Sequence, residues 1–103
     1  MDRPTPQQAR QRIAIVEARL RNAEPIHRGH LWEMYRSNDG FYVIRFRELV
    51  QTLYVGVTPD GEVRDMAGYP VDGGDIQIAI STFQAAGLDQ MAQKVIDWPH
   101  RRR

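Results

Sequence analysis

The 103-residue sequence lacks cysteine altogether. Disulfide bonds, thiolate catalysis and cysteine-ligated metal are therefore excluded, and the absence agrees with a reducing, cytoplasmic location. No stretch approaches the roughly 18 consecutive apolar residues that a membrane-spanning helix needs. The first ten residues, MDRPTPQQAR, also lack an apolar core, so we expect neither a signal peptide nor a membrane partner.

Lysine is almost absent as well, because 13 of the 14 Lys and Arg residues are arginine. Arginine supplies planar, bidentate donors that suit carboxylate or phosphate groups. The net charge is nevertheless only +1, whereas nucleic-acid-binding domains are usually strongly basic. The charge balance therefore favours a protein partner over a nucleic acid.

The length and composition are those of one small globular domain, with 42% hydrophobic and 26% charged residues. We predict a single domain over residues 1–103, with a basic tail at 99–103 that frays. Nothing in the chain resembles an internal repeat or an interdomain linker.

The sheet is predicted from the run between Phe41 and Val63, where apolar residues alternate with period two. Turn signals at Asn38-Asp39-Gly40 and Thr58-Pro59-Asp60-Gly61 bound this run. We expect strands at 31–36, 41–47, 52–58 and 62–67, joined as an antiparallel meander. The link 48–51 contains neither Gly nor Pro, so its connection is the least specified by sequence.

Helices are predicted on either side of the sheet. Thr5 and Gln8 form a capping-box pattern, and an apolar stripe then runs to Ala23, with Pro25 as the stop. Asp75 is predicted as the N-cap of a second helix and Asp89 as that of a third, which Pro99 would end.

The predicted fold class is therefore α+β: an N-terminal helix, a four-stranded antiparallel meander and two short C-terminal helices, which together cover one sheet face. The residues predicted to be buried are Ile13, Val16, Leu20, Tyr42, Ile44, Phe46, Leu53, Val55, Val57, Ile80, Phe83 and Val95.

No set of residues in the sequence matches a catalytic arrangement. The two serines lack the G-x-S-x-G context of a nucleophile. The segment His27-Arg28-Gly29-His30 is predicted to be a loop, where the intervening glycine argues against a shared metal ion. We therefore expect a protein without enzymatic activity, metal or cofactor.

The sequence predicts a small protein-binding module of the inhibitor or adaptor type. Such a module would occlude a partner macromolecule, for example a nucleic-acid-processing or phage-defence complex, and could be encoded by a phage or mobile element. The alternative is a nucleic-acid-binding domain that uses Arg side chains and aromatic stacking. Homodimerisation is also compatible with the sequence.

The predicted partner-binding residues are Arg45, Arg47, Tyr54, Asp60, Glu62, Asp65 and Asp72. Arg and Tyr are enriched among the residues that contribute most to protein interfaces, and charges at an interface rim speed association. A secondary partner-binding surface is predicted on the outer face of the first helix, at Arg12, Ile15 and Arg19.

Overall fold

The computed structural model describes residues 3–101 and has the predicted α+β architecture. In chain order the elements are α1 (Pro6–Leu20), β1 (His27–Gly29), β2 (Trp32–Arg36), β3 (Tyr42–Arg47), β4 (Thr52–Val57), β5 (Val63–Asp65), α2 (Gly73–Ala85) and α3 (Asp89–Arg101). The strands form one antiparallel meander in the order β1-β2-β3-β4-β5. The sheet thus has five strands where the sequence predicted four.

The additional strand, β1, lies in the segment that the sequence predicted to be a loop. Its three residues pair with β2 in the register His27–Met34, Arg28–Glu33 and Gly29–Trp32. Gly29 is required here, because a Cβ atom at that position would come within 2.1 Å of the Trp32 indole nitrogen. A strand this short and this exposed has no alternation to detect, so pairing with β2 alone defines it.

The helix ends agree with the sequence only in part. The capping box of α1 is present, since the Thr5 hydroxyl accepts from the Gln8 N–H (3.1 Å) and the Gln8 side chain accepts from the Thr5 N–H (2.9 Å). However, α1 ends at Leu20, and Ala23 is exposed beyond it. The expected continuation of the stripe to Ala23 is therefore wrong.

The two C-terminal helices also differ from expectation at their ends. Asp72, not Asp75, is the N-cap of α2, and Asp75 occupies the third helical position of the same capping box. Helix α3 continues past Pro99 to Arg101. The remaining residues of the predicted frayed tail, Arg102 and Arg103, lie outside the described residues.

Helices cover both faces of the sheet, which corrects the expectation of one covered face. Helices α2 and α3 pack on the face that carries Met34, Ile44 and Val57. Helix α1 packs on the other face, where Val16 and Leu20 contact Tyr35 and Tyr54. The second face must also be buried because β2, β3 and β4 carry apolar or aromatic residues on both faces of the sheet.

The predicted core is largely confirmed. Eight of its residues are buried: Val16, Leu20, Tyr42, Ile44, Val55, Val57, Phe83 and Val95. The other four are half-buried: Ile13, Phe46, Leu53 and Ile80. Trp32 and Met34 are buried core residues that the prediction omitted. Within residues 3–101, no helix is long and apolar enough to cross a membrane.

Two Asp substitutions in the same hairpin test these burial assignments. Ile44→Asp places an unpaired charge at a position that is 0% exposed, so we expect it to unfold a domain of this size. Val50→Asp, at a position that is 91% exposed, is expected to change the free energy of unfolding by no more than about 0.5 kcal/mol. Circular dichroism melts measure both, and equal melting temperatures would contradict the assigned core.

Candidate functional site

A single carboxylate, that of Glu33 on β2, binds two arginines of β3. Arg45 Nε donates to Glu33 Oε1 at 2.8 Å, and Arg47 Nη1 donates to Glu33 Oε2 at 2.5 Å. The strand register causes this, because Glu33 lies directly opposite Arg45 and Arg47 follows two residues along the same face. The Glu33 side chain is 11% exposed, whereas that of Arg47 is 47% exposed. One acid thus holds two cations, and the outer cation faces water.

The same network reaches across the sheet to α1. Arg45 Nη2 donates to the Tyr35 hydroxyl at 2.8 Å, and the Arg45 guanidinium carbon lies 5.5 Å from the Tyr35 ring centroid. On β4, opposite Arg45, the Tyr54 hydroxyl donates to Glu17 Oε2 of α1 at 2.8 Å. These contacts form a polar ladder, which we define as Glu17, Glu33, Tyr35, Arg45, Arg47 and Tyr54.

The two arginines of the ladder change the pKa of Glu33. Burial by itself disfavours the charged form of Glu33, but the hydrogen bonds and charges of Arg45 and Arg47 together outweigh it. The pKa of Glu33 therefore lies below its ordinary value of 4.5. The Glu33 carboxylate is ionised at neutral pH, so the pairing is intact there.

Next to the ladder, the β3–β4 loop exposes two large apolar side chains. Leu49 is 105% exposed and Val50 is 91% exposed, the two highest values among the large apolar residues described. A backbone hydrogen bond closes the loop, because the Glu48 N–H donates to the Gln51 carbonyl at 2.8 Å. Turn positions usually carry Gly, Asn, Asp, Ser or Pro, so Leu49 and Val50 are unusual at this point of a hairpin.

A third exposed apolar residue, Leu31, adjoins this loop. Its carbonyl accepts from the Arg47 N–H at 2.8 Å, and its side chain is 48% exposed. Leu31 has φ = 71°, the only positive φ outside glycine among the described residues, and a left-handed conformation costs a leucine about 1–2 kcal/mol. Backbone strain of this kind is concentrated at functional sites. We define Leu31, Arg47, Leu49 and Val50 as the tip surface.

The sequence placed Arg45, Arg47 and Tyr54 in one partner-binding surface, and the structure does bring them together. Tyr54, however, is only 4% exposed because α1 lies over it. Its substitution by Ala should therefore lower stability directly, by about 3–5 kcal/mol as for other buried aromatic residues. Arg47 is the member of this set that reaches the surface.

The acidic residues predicted for the same surface lie elsewhere. Asp60 and Glu62 belong to the β4–β5 turn, and Glu62 pairs with Arg64 at 3.2 Å. Asp65 pairs in register with Val55, on the α2/α3 side of the sheet and thus opposite the ladder, and Asp72 caps α2. The structure therefore divides the predicted site into a basic part and an acidic part.

Burial and mutual repulsion raise the proton affinity of two aspartates in the acidic part. Burial raises the pKa of Asp65, which also senses the charge of Asp72. Burial likewise raises the pKa of Asp75, with the charges of Asp72 and Asp65 adding to it. These aspartates consequently favour a nearby positive charge.

The predicted secondary surface on α1 is also divided. Arg12 folds back and donates to the Ala67 carbonyl at 3.3 Å, which fastens α1 to the chain after β5. Ile15 is 53% exposed and Arg19 is exposed, so only these two face outward freely.

Within residues 3–101, no three His, Cys, Asp or Glu side chains are grouped so that they could hold a metal ion. Comparison of the chain with protein-family models, curated proteins and solved structures gives no match.

Sequence analysis missed Leu31, Leu49 and Val50 as site residues. A signal was present, because the loop 48–51 carries two apolar residues and no turn-forming residue. Their exposure could not be read from sequence, since an apolar pair in a short link fits a buried strand equally well.

The pairing of Glu33 can be tested through its dependence on pH. Glu33→Gln is expected to lower the free energy of unfolding by about 1–2 kcal/mol at pH 7, with Arg47 contributing less because it is largely in water. Since the folded pKa lies below 4.5, wild-type stability from this pair is complete above pH 4.5 and is lost as the pH falls through the folded pKa. The difference in the free energy of unfolding between the wild type and Glu33→Gln, measured by urea denaturation, should therefore be smaller at pH 3 than at pH 7.

Glu24→Gln, at an exposed position after α1, is the control for the loss of one negative charge. It should behave like the wild type at both pH values. A Glu33→Gln effect of equal size at pH 7 and pH 3 would contradict the proposed ionic pairing.

Proposed function

We propose that this chain is a non-enzymatic protein-binding module whose tip surface inserts into an apolar pocket of a partner protein. The observation that carries the proposal is the exposure of the adjacent residues Leu49 and Val50 at a hairpin end that a backbone hydrogen bond closes. Burying one such side chain contributes about 1.5–3 kcal/mol, so the pair can anchor an interface. The biological role that we propose is that of an inhibitor or adaptor, which occludes the surface it binds.

The charge beside the apolar pair supports a partner pocket with an acidic rim. Arg47 is held by Glu33 and still presents about half of its side chain to water. A guanidinium that is already oriented loses less conformational entropy when it binds a carboxylate. Arg28, exposed on β1 opposite Glu33, adds a second cation to the same side.

The geometry supports a protein partner more than a nucleic acid. Glu33 neutralises part of the charge of Arg45 and Arg47, and Tyr35 and Tyr54 are buried where bases cannot stack on them. Leu49 and Val50 offer no hydrogen-bond donor to a phosphate or a base.

The first experiment captures the partner and then isolates the contribution of the tip. Immobilised wild type and the Leu49→Asp/Val50→Asp variant are exposed to source-cell lysate, one half of it treated with nuclease. A protein retained by the wild type is purified and its binding to each variant is measured by surface plasmon resonance. We expect the double Asp variant to bind at least about 30-fold more weakly, because about 2 kcal/mol or more of apolar burial is lost.

Ile15→Asp is the matched control, because it places the same charge at another exposed apolar position. It should bind like the wild type, and all variants should keep the wild-type melting temperature. Loss of binding in Ile15→Asp with normal binding in the tip variant would move the site to the outer face of α1. Retention that disappears after nuclease treatment would favour the nucleic-acid alternative.

The nucleic-acid alternative has a direct test of its own. Phosphate contacts make affinity fall steeply with salt through counterion release. We expect a fluorescent oligonucleotide to bind weakly at low salt and to dissociate at about 0.15 M salt, without sequence preference. Tight binding at about 0.2 M salt would favour a nucleic-acid partner over a protein partner if Arg45→Ala plus Arg47→Ala abolishes it.

A further inference from the structure

The last strand of the sheet, β5, has an open hydrogen-bonding edge. The Thr58 N–H donates to the Glu62 carbonyl and the Met66 N–H donates to the Tyr54 carbonyl, so even-numbered residues of this segment face β4. Val63 and Asp65 therefore direct their backbone groups away from the sheet. Within residues 3–101, only the Asp65 carbonyl of these groups has a backbone partner, the Gly68 N–H at 2.9 Å.

A cleft of about 680 Å³ runs along this edge. Consecutive residues 61–65 and the chain at 68–71 form part of its wall. Arg12 supports that wall through its bond to the Ala67 carbonyl. Ile76 of α2 together with Val95 and Trp98 of α3 provide an apolar lining. The volume is in the range of ligand-binding pockets.

Trp98 lines the cleft with a side chain whose polar atom is inaccessible. Its indole N–H is buried and has no hydrogen-bond partner among the described residues. A buried indole N–H normally finds an acceptor. The nitrogen itself is closed to a ligand, so Trp98 contributes its ring to the apolar lining of the cleft.

The charge around the cleft selects the kind of peptide. Asp65 lines the cleft. The charge of Asp72 acts on Asp65, and the charges of Asp72 and Asp65 act on Asp75. Among the described residues that line the cleft, Arg64 is the only cation, and it is paired with Glu62. Burial raises the pKa of Asp65 and of Asp75, and the charges of neighbouring aspartates add to both shifts.

We infer that β5 binds an extended, positively charged peptide segment as a sixth antiparallel strand, with an apolar side chain in the cleft and a Lys or Arg side chain near Asp65. Main-chain bonds to the N–H and carbonyl of Val63 and to the N–H of Asp65 supply affinity, and the cleft and the carboxylates supply specificity. This site goes beyond the tip surface and uses none of its residues.

The test uses three kinds of seven-residue peptide with the full-length chain. The probe is acetylated Lys-Thr-Leu-Thr-Lys-Thr-Lys amide, in which Leu and the Lys residues share one strand face, and its charge-reversed counterpart replaces every Lys with Glu. Two further copies of the probe carry N-methyl groups on alternate amides, one copy for each parity. We expect the basic probe to bind saturably and the acidic peptide not to bind. Of the two N-methylated probes, we expect one to lose binding, because its methyl groups block the amides that face β5, and the other to bind like the unmethylated probe.

Amide hydrogen exchange by NMR locates the strand. The Val63 and Asp65 amides should exchange at least about tenfold more slowly with the probe present, whereas the Arg64 amide, already bonded to β4, should not change. Equal binding of the basic and acidic peptides, or indifference to both N-methyl patterns, would overturn the proposal. So would protection elsewhere in the sheet.

Protein variants supply an independent check. Asp65→Asn keeps an acceptor for the Ala67 N–H and should weaken binding of the probe about threefold, with the salt dependence reduced. Glu24→Gln, which removes the same charge at a distance, should bind like the wild type. Val50→Asp should also bind the probe normally, so failure of this site and failure of the tip surface are distinguishable.

Discussion

One helix cannot cover a five-stranded sheet, and the rest of this structure depends on that constraint. Strands about 4.8 Å apart make a sheet about 19 Å wide, whereas a helix with its side chains is about 10 Å across. Helices α2 and α3 together cover one face, but α1 alone covers only part of the other. On that second face, the polar groups of Glu33, Arg45 and Arg47 satisfy one another.

The polar ladder connects this constraint to the proposed binding surface. Glu33 positions Arg47, and the Arg47 N–H bonds to the Leu31 carbonyl, so the two neighbouring hairpin ends are held side by side. Leu49 and Val50 then project from a supported loop without contributing to the core. Because these contact residues lie outside the packed core, they can be substituted with little effect on stability.

The candidate site shows where sequence reasoning succeeds and where it stops. Alternation along β3 correctly placed Arg45 and Arg47 on one face, away from Ile44. It could not show that Glu33, 12 residues earlier, would lie opposite Arg45, because register between strands depends on turn geometry. Alternation also could not show that α1 would bury Tyr54, because helix packing determines which sheet face α1 covers.

The sequence by itself determined the α+β class, the capping of α1, four of the strands and most of the core. Those features follow from local rules, namely turn chemistry, side-chain capping and the periods of helix and strand. Only the tertiary structure decided that β1 is a strand, that helices cover both faces, and that Leu49 and Val50 face water. Each of these depends on segments far apart in the chain, whose contacts no local pattern records.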